Sequence, residues 1–100
     1  MATVYTIYVG FNGPRGVEYN RDLLFHVLAG CGLNGYTVIE GTGMYNGIPE
    51  PGASVILIAP NERDDEHIRE HVAAVANEYK DLAQQEEVWV TRRQEDLLII

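Results

Sequence analysis

The sequence predicts a single α+β domain, residues 1–100, in which a four-stranded antiparallel sheet carries two helices on one face. Three observations point there. β-branched and aromatic residues cluster at residues 4–11, 36–42, 53–59 and 88–91, a composition that suits a pleated surface. Apolar residues recur at helical spacing between the first and second of these segments, and again between the third and fourth. Glycine and proline sit at the joints.

Val4 to Phe11 reads as the first strand and is stopped by Asn12-Gly13-Pro14-Arg15-Gly16. Asn20 is placed to cap a helix with Leu23, Leu24, Val27 and Leu28 on one side, ended by Gly30 and Gly32. Residues 36–42 and 53–59 are the second and third strands. The segment from Gly43 to Gly52, with two prolines and three glycines, reads as a ten-residue hairpin loop. Asn61 or Asp64 can cap a second helix, whose Ile68, Val72, Val75, Tyr79 and Leu82 form one stripe. A short strand at 88–91 completes the order β-α-β-β-α-β, the ferredoxin-like sandwich.

In that arrangement the helices cover one side of the sheet only. Strict alternation turns Ile7, Val9, Ile39, Val55, Leu57, Val88 and Val90 toward the helices. It turns Thr6, Tyr8, Tyr36, Val38, Ile56, Ile58 and Trp89 away from them. So apolar an outer face, together with Leu97 to Ile100, predicts a homo-oligomer, dimer or trimer.

Fifteen acidic residues against seven basic ones give a formal charge of −8, which repels nucleic acid and anionic membranes. One cysteine, Cys31, allows no internal disulfide. No segment has the length and apolarity of a membrane span or a targeting peptide. A cytoplasmic protein without nucleic-acid or membrane partners is the expectation.

His67-Ile68-Arg69-Glu70-His71 spells the H-x-x-E-H zinc-protease signature. The chain is too short to bring the third ligand from a separate helix, and the pair flanks the core stripe as solvated residues do. No metal or cofactor is expected. Ser54 is the only serine and lacks a nucleophile elbow, and no catalytic residue stands out. Glu40, amid apolar strand residues, needs a partner if buried. An arginine such as Arg92 across the sheet or a subunit boundary is the expected one. Arg15, in a glycine-rich turn before a helix, can meet an anion, and the 43–52 segment offers Tyr45 and Asn46.

Gly35-Tyr36-Thr37-Val38-Ile39-Glu40-Gly41-Thr42-Gly43 resembles the second-strand segment of the PII and PII-like signalling proteins. The element order is also similar to that of the CutA family and of small bacterial and viral ferredoxin-fold domains. The resemblance implies a trimer with effectors bound in clefts between subunits, and it places Thr37 and Gly43 near such a cleft. The chain departs from it at Asn46, where PII proteins have a basic residue, and at Gln84-Gln85-Glu86-Glu87, which replaces a glycine-lysine turn. The predicted function is a non-enzymatic oligomer binding a small anion or nucleotide-like molecule at Arg15, Thr37, Glu40, Gly43, Tyr45, Asn46 and Arg92. The alternatives are a dimeric α+β-barrel enzyme with an internal pocket and a protein-interaction module of viral origin.

Overall fold

The computed structural model describes all residues from Met1 to Ile100. The chain runs β1 (Ala2–Gly10), α1 (Val17–Gly30), β2 (Thr37–Tyr45), β3 (Ile48–Ala59), α2 (Glu62–Leu82) and β4 (Trp89–Glu95). The strands form one antiparallel sheet in the order β2-β3-β1-β4, with both helices on one face. This is the ferredoxin-like α+β fold that the element order predicts.

The core is where two helical stripes meet the inward residues of the central strands. Tyr5, Ile7 and Val9 of β1 and Ala53, Val55 and Leu57 of β3 pack on Leu24, Val27 and Leu28 of α1. They also pack on Val72, Val75, Ala76 and Tyr79 of α2. The α2 stripe is the expected one at Val72, Val75 and Tyr79. Ile68 packs partly on the core, whereas Leu82 is exposed and Ala83 is buried in its stead. Asn61 caps α2 as expected, its side-chain oxygen accepting from the Asp64 N–H at 3.0 Å.

Asn20 does not cap α1. The helix begins at Val17 after Gly16, whose φ of 93° puts it in the left-handed region open to glycine. Asn20 lies inside the first turns, buried, and its Nδ2 donates to the Phe11 carbonyl at 2.7 Å. A buried amide needs such a partner, and this one ties the loop after β1 to the helix.

The largest departure from expectation is the 43–52 segment. It is no loop: β2 and β3 continue through it and turn at Asn46-Gly47, with Tyr45 opposite Ile48. Both turn residues have positive φ, 51° and 76°, as a two-residue hairpin turn of the primed kind requires. Pro51 is tolerated because its carbonyl accepts from the Phe11 N–H, so its missing N–H points away from β2 and breaks no rung of the hairpin.

That turn also sets the register of β2, and the register reverses the expected facing of two residues. Val38 lies opposite Val55 and packs on the core, whereas Ile39 lies opposite Ser54 on the open face and is exposed. A one-residue shift swaps every side chain between faces. In β1, β3 and β4 the facing follows the expected alternation, but the open face is not bare throughout: Thr6 and Val4 are buried on it and Ile56 is half-buried. Tyr8, Ile58 and Trp89 are exposed on the open face, while Ile7, Val9, Val55 and Leu57 are buried. Val90 points to the helix side but stays exposed at the sheet edge.

No helix is long and apolar enough to cross a membrane.

Candidate functional site

The residues proposed from sequence do not form one cluster within the chain. β2, with Thr37, Glu40, Gly43 and Tyr45, is one edge of the sheet, and β4, with Arg92, is the other. Arg15 lies in the loop before α1, where its guanidinium donates to the Tyr19 hydroxyl at 2.7 Å and stacks over that ring. Thr37 begins β2, opposite Ile56. Asn46 forms the tip of the hairpin. Glu40 has an arginine partner, but it is Arg21 of α1, at 2.8 Å, and not Arg92. A cavity of about 350 Å³ surrounds that pair, bounded by Phe11, Thr42 and Pro51.

Arg92 belongs to a different group. The Tyr5 hydroxyl donates to Asp65 at 2.6 Å and accepts from Arg69 Nε at 3.2 Å and Arg92 Nε at 3.3 Å. Asp65 also pairs with both guanidiniums, at 3.0 and 3.6 Å. The Tyr5 hydrogen bond, aided by the two cations, holds the Asp65 carboxyl below its ordinary range.

What the fold does bring together is an open groove of about 1010 Å³. Tyr8, Ile39, Ser54, Trp89 and Thr91 of the open face line it, with Gly43, Tyr45 and Glu50 of the hairpin and Gln84 to Glu87 of the turn before β4. Of the residues proposed from sequence, Glu40, Gly43 and Tyr45 are among its walls.

Its floor is a row of glycines. Gly10, Gly52 and Gly41 lie opposite one another on β1, β3 and β2, so no side chain rises from three adjacent strands. Glu50 fills part of that space: a Cβ on Gly10 would collide with its carboxylate. Beneath, on the helix side, buried Tyr79 donates its hydroxyl to the Gly10 carbonyl at 2.5 Å. Burial, and next the charge of Glu50, push the Tyr79 hydroxyl up to about 12. Gln85 Nε2 donates to the Asn12 carbonyl at 2.6 Å and so ties the turn before β4 to the loop after β1.

The charge of the groove is one-sided. Glu40, Glu50, Glu86 and Glu87 line it, and no lysine or arginine does. Glu40, opposite Ala53, turns its carboxylate to the helix face and Arg21; the other three have no cation paired with them. Aromatic rings from β1, β2 and β4 offer flat apolar surface beside those carboxylates.

Sequence reasoning missed Glu50, the glycine row and the Gln84 to Glu87 turn. The signal for the first two was the Asn46-Gly47 dipeptide, which places residues 48–52 in a strand and sets their facing. His67 and His71 lie with ring centroids 4.3 Å apart and planes tilted by 48°, and no group of three or more His, Cys, Asp or Glu side chains converges around them or elsewhere.

No family model matches the chain, and no curated protein matches it. Solved structures do. A phage SAM lyase in its apo state is similar at 20% identity with a TM-score of 0.66, over 91% of this chain and 78% of that one. The phage SAM lyase in complex with S-methyl-5′-thioadenosine is similar at 19% identity and a TM-score of 0.66, over 93% and 81%. A de novo designed protein, Foldit4, is similar at 20% identity with a TM-score of 0.62, over 96% and 100%. At these identities the likeness shows the fold they share, a small α+β fold built on a four-stranded antiparallel sheet.

Proposed function

We propose that the chain binds a cationic nucleoside of the S-adenosylmethionine (SAM) type in the open-face groove and cleaves it as a lyase. The observation that carries this reading is the lining: three unpaired glutamates, no basic residue, and the rings of Tyr8, Tyr45 and Trp89. Carboxylates with low-dielectric walls concentrate cations and repel phosphates, which favours a sulfonium over the anion expected from sequence. An adenine ring stacks on aromatic faces whatever its substituents. The similar phage enzyme names a ligand of this chemistry, and the glycine floor leaves room for it.

In such a cleavage the bond between sulfur and the amino-acid γ-carbon breaks and its electron pair stays on sulfur. The product is a neutral thioether, S-methyl-5′-thioadenosine. The carbon is quenched either by its own carboxylate, closing a lactone, or by loss of a neighbouring proton to a base. Glu50, half-buried over Gly10, is the carboxylate placed to stabilise the sulfonium or take that proton.

The reading includes self-association. Tyr8, Ile39, Ile58 and Trp89 are exposed on the open face, and burying each large apolar side chain is worth about 1.5–3 kcal/mol. A second copy over this face would also close a groove that is open in the single chain.

The test is incubation with SAM, followed by chromatography for S-methyl-5′-thioadenosine, alongside calorimetry with SAM, S-methyl-5′-thioadenosine and ATP. Release of the thioether, abolished in E50Q, is the expected result. Binding of SAM without turnover would leave a sequestering protein, the non-enzymatic reading predicted from sequence. Tight binding of ATP with none of SAM would overturn the SAM reading and return the site to the anionic, nucleotide-like ligand expected from sequence. Native mass spectrometry reads the number of subunits, and a monomer at micromolar concentration would remove self-association.

A further inference from the structure

We infer that Asp65 is a positioning residue for the groove, acting through Tyr5 and Arg92 on the strand that carries Trp89. β4 is an edge strand whose seven residues are all exposed, and the two helices pack chiefly against the central strands. The β1 ladder holds its backbone. On the helix side, the observed tie is Arg92, which meets the Tyr5 hydroxyl and Asp65.

The register makes this tie relevant to the groove. Arg92 lies opposite Tyr5 on the helix face, while on the open face of the same two strands Trp89 lies opposite Tyr8 and Thr91 opposite Thr6. Pulling Arg92 toward α2 therefore sets the twist and position of the strand segment that presents Trp89 and Thr91 to the groove. Successive residues of a strand project to opposite faces of one stiff backbone, so a change on one face is felt on the other.

The group is saturated in a way that resists rearrangement. The Tyr5 hydroxyl uses its one hydrogen and both lone pairs, and Tyr5 itself is 3% exposed. The charged groups that meet Asp65 are Arg69 of its own helix and Arg92 of β4, with the Tyr5 phenol of β1 between them. Charge-assisted bonds to a buried phenol hold geometry better than an exposed ion pair does.

Only the ligand arm of the test rests on SAM as the groove's occupant. D65N and Y5F are compared with E95Q, which removes the Arg93–Glu95 pair of the same strand without touching α2. Amide hydrogen exchange of residues 89–95 and acrylamide quenching of Trp89, the only tryptophan, are read without ligand. The expected result is β4 exchange faster by roughly 3- to 10-fold in D65N and Y5F, stronger quenching, a smaller change in α2 that tracks global stability, and wild-type behaviour of E95Q. SAM affinity falls by a similar factor. Y5F keeps the ring in the core and decides the matter should D65N fold poorly. β4 protection and quenching equal to wild type in folded Y5F would overturn the inference, as would a loosened strand with unchanged SAM affinity. Failure of the wild type to bind SAM would sink the functional reading alone, since exchange and quenching still judge the tie.

Discussion

The carboxylate of Glu50 lies over the backbone of Gly10, in the space that any side chain at position 10 would occupy. The two residues sit on different strands, and the hairpin brings Glu50 there because β3 runs past the end of β1. The floor of the groove and the acid above it are thus one arrangement: remove the glycine and the acid moves.

Gly10→Ala and Gly52→Ala consequently separate binding from stability. At position 10 the new methyl meets the far end of a flexible side chain, which swings away. Stability should hold or rise by about 0.5–1 kcal/mol, the backbone advantage of alanine in a strand, while ligand affinity falls. At position 52 the methyl meets the Val9 carbonyl, and backbone must shift, at about 1–3 kcal/mol. Denaturant titration beside calorimetry checks both. Equal stability loss in the two variants would refute the distinction.

Tyr79→Phe removes the donor to the Gly10 carbonyl beneath that floor. A half-buried carbonyl left without its donor costs about 1 kcal/mol, measurable as a lower urea midpoint at neutral pH. The alkaline limb carries a second signature. The folded state holds the Tyr79 proton up to about 12 against an ordinary 10. Its contribution is complete below pH 10 and is lost as pH rises toward 12. The wild type should lose stability in that window more steeply than Y79F, and parallel curves would show that Tyr79 does not titrate this way.

Gly47→Ala tests the turn that sets the register of β2. With φ at 76°, alanine there bears the left-handed penalty of about 1–2 kcal/mol, whereas Asn46→Gly, at φ 51°, should be close to neutral. If slippage follows, Ile39 and Val38 exchange faces, and nuclear Overhauser contacts between Val38 and Val55 disappear. A stable G47A with those contacts intact would show that side-chain packing of Val38, rather than the turn, sets the register.

How much of this could be read from the residues follows from how local each signal is. α2 was legible because one stripe and one cap, Asn61, fall within a single helix, and β1 because its composition leaves no alternative. The open-face aromatics Tyr8 and Trp89 followed from alternation alone. The outer hairpin was not, because Pro49, Pro51, Gly43 and Gly52 weigh toward a loop when each is taken by its propensity. Asn46-Gly47 outweighs them because it closes the hairpin, and the prolines sit where no rung to β2 is lost. Glu40 needed an arginine, as its strand neighbours imply. Which arginine depends on α1 bringing Arg21 within reach of β2, a relation between distant segments that no local pattern encodes. The acidity of the groove has the same origin, since Glu50 and the 84–87 turn meet only after the sheet is assembled.

Asp65 offers a prediction at the acid end. Its folded carboxyl is held below the ordinary 3.8 by the Tyr5 hydrogen bond and the charges of Arg69 and Arg92. A depressed carboxylate contributes stability that is present above its unfolded value and is lost as pH falls through the folded one. Asp65→Asn should therefore be less stable than wild type at neutral pH. The gap between them should narrow as pH drops below about 3.8, because the wild type is then losing the same charge. Thermal midpoints from pH 7 down to pH 2 measure it directly, with 1 M salt as a further arm: screening shrinks the arginine contribution but leaves the tyrosine hydrogen bond. A gap that stays constant down the whole acid range would mean that Asp65 contributes by shape and hydrogen bonding alone, without its charge.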